Sequence, residues 1–388
     1  MSTSQYVVIG AGLAGAATAW SLARRGHEVT VVERTQPAAH DGSSHGSARI
    51  FRYAYPESFY SRLVARSRPL WDELEQVAGR QLITPTGSLD FGESRDPRRL
   101  AGVLADLGVE HELLSRDDAR GRWPEIAFDT DVLWHAAAGV LDAESAVHAM
   151  LAQAQKHGAR VLTGWPVTDV AKTATGYRLS SSGGTLNAEN IVVCAGGWLP
   201  RLLGDLPLPA GFLSQMPAMS VSQEYAYHFP YRDGGPPGSD IWPTFIHKTP
   251  GIQTYSLPGG RDAGFRGQKL AEYNGGRAMA SAEEQNGIVD PRNRQRVVEY
   301  VQRYLPGLVP EPYAETTCLF TNTPTEDFVV DGVDGLTVVS PCSGHGAKFA
   351  PLLGNIAADV ATGVGSAPTR FRVGHTGAGF NRKVEAHA

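Results

Sequence analysis

The sequence is poor in cysteine, in clustered charge and in long apolar runs, and each shortage excludes something. Three cysteines occur in 388 residues, Cys194, Cys318 and Cys342. Their odd number and wide spacing supply neither a disulfide framework nor a C-x-x-C or metal-ligand pattern. They fit a reducing cytoplasm with no metal site, and leave open that one of them does chemistry. No Lys/Arg run builds up, and the formal net charge is −5, which argues against nucleic acid as a partner. No apolar stretch approaches the roughly eighteen residues of a membrane span. Only a few polar residues precede the first apolar strand, leaving no room for a secretory leader. What remains is an ordinary globular composition, in a chain long for one core and comfortable for two.

The most informative stretch is the first forty residues. Tyr6-Val7-Val8-Ile9 reads as a short strand. Gly10-Ala11-Gly12-Leu13-Ala14-Gly15 follows as a turn with G-x-G-x-x-G spacing. Ala16 to Arg25 reads as a helix closed by Gly26, and Val29 to Val32 as a second strand ending in the acid Glu33. The glycines allow a tight turn, close approach to a pyrophosphate and close helix–strand packing. The helix start offers N–H groups to phosphate, and Glu33 is placed to accept hydrogen bonds from a ribose. Dinucleotide binding is the expectation.

Beyond Glu33 the chain is loop-like to Ser44. His45, Arg49 and Arg52 then have spacings of four and three, which could put them on one face of a helical turn. Such a cluster is either solvated charge or a ligand contact. Ser58 to Glu75 reads as an amphipathic helix interrupted near Pro69. Further helices are expected over 98–107, 145–157 and 294–304, and short strands over 83–91, 109–114, 160–162 and 167–170. A hairpin is expected at Gly183-Gly184. Asn190 to Cys194 reads as a buried strand entering a second glycine turn, Ala195-Gly196-Gly197-Trp198. That turn is either a cofactor contact or a plain strand end. Residues 205–260 suggest an antiparallel sheet with long loops. Strands over 328–331 and 336–339 lead to Ser343-Gly344-His345-Gly346 and a helix over 347–362, whose start again offers a positive end.

Several stretches together resemble the FAD-dependent amine oxidases of the monomeric sarcosine oxidase and N-methyl-tryptophan oxidase group. They are the G-x-G-x-x-G turn, Gly42 to Arg52, Arg122-Trp123-Pro124-Glu125, Cys194 to Trp198, the Lys269 region, Cys318, Glu326 to Asp331, and Ser343 to Phe349. The resemblance runs to about Thr362 and selects FAD over NAD. It implies an α/β fold: a Rossmann-like FAD-binding domain of amino-acid oxidase type (1–83, 141–204 and 317–388) with an antiparallel-sheet substrate domain (84–140 and 205–316). The implied cofactor contacts are Gly10, Ala11, Gly12, Gly15, Glu33, Arg34, Ser44, His45, Arg49, Val167, Gly196, Trp198, Gly344, His345, Gly346 and Lys348. Cys318 matches the cysteine that holds the flavin covalently. That link needs a thiolate, whose pKa should fall beside cations, and Arg49 and His45 match residues placed around the flavin.

By the same resemblance, Arg52 and Lys348 hold a substrate carboxylate. Lys269 lies near the flavin and promotes its reaction with oxygen, although its position alone also suits a surface lysine at a strand end. The sequence departs from the group at Tyr273, where a histidine is usual, at Phe320, where some members carry a tyrosine, and at Ala347 and Ala48, where a phenylalanine and a threonine are usual. Together these changes remove a titratable group and a hydroxyl near the substrate and make room. The implied activity is oxidation of the C–N bond of a secondary, N-methyl-type amino acid by O2, giving an imine or aldehyde and H2O2. The partners would be the amine and oxygen, with neither nucleic acid nor membrane, and the protein would be a monomer. The alternatives are a same-fold oxidase of a primary, cyclic or natural-product amine lacking a carboxylate, and a flavoprotein that passes electrons to a partner.

Overall fold

Largely apolar, fully buried runs such as Tyr6–Ile9 and Val29–Val32 suit strands covered on both faces, and both lie at the centre of a parallel sheet. In the computed structural model, which describes residues 3–232 and 242–375, strand Thr3–Ile9 pairs in parallel with Val29–Val32 on one side and Gly184–Val193 on the other. Arg160–Leu162 and Leu336–Ser340 extend the parallel run at its two ends. The register sets Val8 beside both Val31 and Val192. Antiparallel strands Asp169–Thr173, Gly176–Ser181 and Val329–Val333 complete this first sheet. The Ala-rich helix Leu13–Arg24 packs between helices Ala143–Lys156 and Ala350–Thr362 on the sheet's helical side.

A second, mostly antiparallel sheet gathers strands from Ser88–Phe91 to Ala314–Asn322. Its side chains alternate between two faces. Phe91, Tyr227, Phe229, Phe245 and Leu270 pack with Val297, Tyr300 and Val301 of helix Pro291–Tyr304. Their neighbours Ala226, Ile246, Lys248 and Lys269, with Cys318, line a cavity on the other face. A small sheet of Arg49–Phe51, Ile83–Pro85 and Gly139–Leu141 joins the two regions. No helix among the described residues is long and apolar enough to cross a membrane.

Three expectations are corrected. Arg49 does not begin a helical turn. Arg49–Phe51 is a strand paired with Gly139–Leu141, because Ile50, Phe51 and Tyr53 are residues suited to a pleated, half-buried surface. Pro69 does not interrupt its helix, which runs unbroken from Ser58 to Ala78. Tyr60, Leu63, Trp71 and Leu74 anchor it in the core, and Ser67 Oγ and Trp71 Nε1 donate to the Lys348 carbonyl at 2.9 and 2.8 Å. That packing outweighs the ~3 kcal/mol cost of an interior proline. The boundary drawn between residues 316 and 317 cuts a strand: Ala314–Asn322 pairs along its length with Ser220–Pro230 of the second sheet, so Cys318 belongs to that sheet. The expected antiparallel region is present in Ser220–Pro230, Thr244–Lys248 and Gln253–Pro258. The parts of the expected domains at 233–241 and 376–388 lie outside the described residues.

Candidate active site

The parallel strands end at Ile9, Val32 and Val193, and the loops that follow them open towards the second sheet. Between the two lies a cavity of about 1000 Å³. Loops beyond the carboxyl ends of such a sheet are where this architecture binds ligands.

One end is built by the first glycine turn. Gly10 has φ +101°, and a Cβ there would lie 2.5 Å from the Cys194 carbonyl oxygen. A Cβ on Gly15 would lie 1.9 Å from the Gly10 carbonyl oxygen, so both positions exclude side chains. Gly10 and Gly12 line the cavity, while Ala11 and Gly15 do not. Glu33 lines it too, but its carboxylate accepts from the Ala11 N–H at 2.7 Å and the Thr35 N–H at 3.1 Å, so it first of all braces the turn. The Leu13 N–H donates to Ser44 Oγ at 3.0 Å, and the first helical turn carries no acid. Arg34 pairs with Asp41 and stacks over Trp198, 4.4 Å from the ring centroid. Val167 and Gly196 line the wall beside them.

The middle of the cavity is positive. Arg49 is held by carbonyls, donating to Ala48, Ser43 and His45 at 3.0, 3.0 and 2.8 Å. Lys269 is buried, with its pKa pulled to about 8 by burial and then by Arg49. Burial alone would raise Asp262, yet the Ser47 hydroxyl and the Lys269 charge hold it at about 2. His45 is buried, its Nε2 has no hydrogen-bond partner among the described residues, and burial with Arg49 drops its pKa to about 3. Cys318 differs from expectation. Arg49 and Lys269 do pull its thiol down, but burial is the larger effect and the net shift is upward.

At the far end two cations meet on one ring. Arg52 stacks over Tyr55 at 4.6 Å, and Lys348 Nζ lies 5.5 Å from the same centroid. Arg52 also donates to the Ala54 carbonyl. Lys348 donates to Tyr55 Oη at 3.0 Å and to the His345 carbonyl at 2.7 Å, which leaves one N–H for a ligand. His345 Nε2 lies 3.0 Å from the Glu326 carbonyl and Nδ1 lies 3.2 Å from Tyr55 Oη. Those partners assign the proton to Nε2 and have Tyr55 donate to Nδ1. Burial and Lys348 keep the ring neutral. Tyr273 donates to Glu326 at 3.0 Å, and Gly344 and Gly346 line the wall. Lys348 sits in a single 3₁₀ turn, Ala347–Phe349, ahead of helix Ala350–Thr362.

Sequence reasoning missed Lys248, Arg95 and Tyr255, which also line the cavity, and the supporting Asp262 and Tyr55. Lys248 ends a strand, where a lysine normally marks solvent, and Arg95 lies in a short helical turn. Only the fold brings them inside. Among the described residues, Arg49, Arg52, Lys248, Lys269 and Lys348 make no ion pair.

The buried histidines make stability depend on pH. Burial, reinforced by neighbouring cations, holds His45 at about 3 and His135 and His228 at about 4, against ~6.5 when unfolded. Between roughly pH 6.5 and 4 the unfolded chain therefore binds protons that the folded chain refuses, and stability falls as pH falls. Each histidine adds up to about 1.4 kcal/mol per pH unit. The depressed Asp262 adds a loss in the same direction below its ordinary range. Denaturant unfolding should show a lower free energy at pH 5 than at pH 7, and His45→Gln should shrink the difference. A flat profile would contradict this account.

Comparison with known proteins identifies the family. Residues 5–360 match the family described as FAD dependent oxidoreductase. The chain is 32% identical over 371 residues to monomeric sarcosine oxidase of Streptomyces avermitilis, covering 92% of this chain and 94% of that protein. It is 30% identical over 367 residues to N-methyl-L-tryptophan oxidase of Escherichia coli, with coverage of 92% and 94%. Among solved structures, the open form of NikD, an unusual amino acid oxidase essential for nikkomycin biosynthesis, matches with a TM-score of 0.83 and 25% identity over 96% of this chain and 98% of that one. The chain belongs to the FAD-dependent oxidoreductases.

Proposed function

We propose that this enzyme oxidises the C–N bond of a secondary, N-methyl-type amino acid with dioxygen. The amine gives up two electrons and two protons to become an imine, which water hydrolyses to an aldehyde and a primary amine. Dioxygen takes up both electrons and both protons and leaves as hydrogen peroxide. One observation carries the reading: Arg52 and Lys348 converge on Tyr55, and neither makes an ion pair among the described residues. Two such cations repel each other and are costly to desolvate. A substrate carboxylate removes both penalties, with the Arg52 fork offering paired donors and Lys348 a point charge. The names of the sarcosine and N-methyl-tryptophan oxidases support the amine as the reacting group.

The residues present fit FAD. The side-chain-free Gly10 and Gly12 wall and the acid-free helix start suit a pyrophosphate. The orphaned Nε2 of His45 awaits a polar partner in the middle of the same cavity. When bound, FAD supplies the two-electron acceptor. The chain's own residues orient the substrate and set the field. Arg52 and Lys348 fix the carboxylate. Tyr273, its proton committed to Glu326, forms a wall. Lys269 and Arg49 hold positive charge where dioxygen would gather negative charge.

Three outcomes test this reading. Carboxylic acids lacking an oxidisable amine should compete with substrate, and Arg52→Ala should weaken them by about 2–5 kcal/mol, the scale for losing one member of a buried charge pair. Peroxide release from an amine without a carboxylate, with kinetics indifferent to Arg52→Ala, would overturn the clamp. Lys269→Met should slow reoxidation by oxygen by about 10²–10³-fold while anaerobic reduction by substrate changes far less. Equal reoxidation rates would remove that role. Covalent attachment through Cys318 is part of the reading, supported by its place on the cavity wall beside Arg49 and Lys269. Acid-precipitated wild type should keep its yellow colour in the pellet and Cys318→Ser should lose it to the supernatant; any other pattern rejects the link.

A further inference from the structure

Lys248 has no part in the reading above, yet it faces the same end of the cavity. It closes strand Thr244–Lys248, in which Phe245 and His247 turn to the core, His247 stacking on Phe91 at 4.2 Å. The alternation leaves Ile246 and Lys248 facing the cavity. Its Nζ lies 5.4 Å from the Tyr273 centroid, and no hydrogen bond or ion pair engages it among the described residues. The two acids whose charges reach it are committed elsewhere. Glu326 accepts from Tyr273 at 3.0 Å and from Asn274 at 3.3 Å, and Asp90 holds Arg95 at 2.6 Å. Burial, with Arg95 and Arg52, pulls the Lys248 pKa to about 7.

The charge at this end does not balance. With Arg52, Lys248 and Lys348 all protonated, Asp90 cancels Arg95 and Glu326 offsets one of the three, which leaves two positive charges over. One substrate carboxylate neutralises one of them. Burial and Arg52 push Lys348 towards its neutral form, as burial does Lys248, until an anion is bound. The cations are also divided in space, with Arg52 and Lys348 on Tyr55 and Lys248 on Tyr273. A buried lysine without a partner is costly to keep charged, and an anionic ligand group removes that cost.

We propose that Lys248 binds a second carboxylate, so that the substrate is a dicarboxylic secondary amino acid of the N-methylaspartate or N-methylglutamate kind. The α-carboxylate lies between Arg52 and Lys348, and the side-chain carboxylate meets Lys248 beside Tyr273. This rests on the clamp reading. It makes Lys248 a specificity residue that acts on binding.

The test is calorimetric titration of the FAD-loaded enzyme with unreactive acids, succinate and glutarate against propionate and butyrate. Wild type should bind the dicarboxylates at least about tenfold more tightly. Lys248→Met should erase that ratio, and Lys248→Arg should keep most of it. Dicarboxylates no tighter than monocarboxylates, or a Lys248→Met variant that retains the ratio, would overturn the proposal. Arg52→Ala separates the two readings. If it weakens both classes of acid while the dicarboxylate advantage is missing in wild type, the clamp stands and Lys248 alone fails. If it weakens neither, the clamp fails and this proposal falls with it.

Discussion

Positive charge that makes no ion pair among the described residues is the constraint around which this cavity is built. Arg49, Arg52, Lys248, Lys269 and Lys348 all face it. A cation removed from water normally finds a carboxylate or loses its proton. Here the chain supplies carbonyls and rings instead. Arg49 rests on the carbonyls of Ser43, His45 and Ala48. Lys348 rests on Tyr55 and the His345 carbonyl. Such partners hold a guanidinium or ammonium in place without cancelling its charge. The cavity is left complementary to anions, and preorganised charge of this kind costs no rearrangement when a ligand arrives.

Holding cations this way needs two unlike sheets. Parallel strands end together at one level, so their following loops can bring a glycine turn, the Cys194–Trp198 turn and the Ser340–Gly346 loop to one rim. The antiparallel sheet, by its period of two, can be oily on one face and functional on the other. Leu270 enters the core while Lys269 enters the cavity, and Phe245 and Lys248 divide in the same way. Long-range bonds fix the rim of the cavity in place. Trp71 and Ser67 on one helix hold the Lys348 carbonyl, so the side chain that meets the ligand is fixed by a core contact nearly three hundred residues away in sequence.

How far the sequence could be read follows from the range of the interactions. The strand–turn–helix–strand unit at the start was legible because its causes are local: apolar runs, glycine spacing and a closing acid. The element over Ala143–Lys156 and the hairpin near Gly183 were legible for the same reason. The helical turn expected at Arg49 failed because its strand is made by pairing with Gly139–Leu141, ninety residues on. Pro69 was misread because its helix is stabilised by distant packing rather than by propensity. The cofactor-side and clamp residues named from the family resemblance mostly line one cavity, whereas Lys248 carried no local signal at all. Cys318 shows the limit of reasoning from neighbours alone, since its cations do pull the thiol down but burial outweighs them.

The same field decides which groups can move protons. His45, His228 and His345 are all held neutral, burial acting first and lysine or arginine charge second, so none can serve as an imidazolium acid near neutral pH. Tyr273 is kept protonated by burial and by Glu326. That leaves the cavity lysines, Lys269 near 8, Lys248 near 7 and Lys348 pulled well below its ordinary value by burial and Arg52, as the groups that can exchange a proton. An amine entering beside these cations meets the same repulsion, which lowers the pKa of its ammonium form. On the proposed reading, the cations that attract a substrate through its carboxylates also favour the uncharged nitrogen, whose lone pair an oxidation of the C–N bond requires. Affinity for the acid end and activation of the amine end then arise from one arrangement of charge, and relieving that charge with an added internal carboxylate would weaken both together.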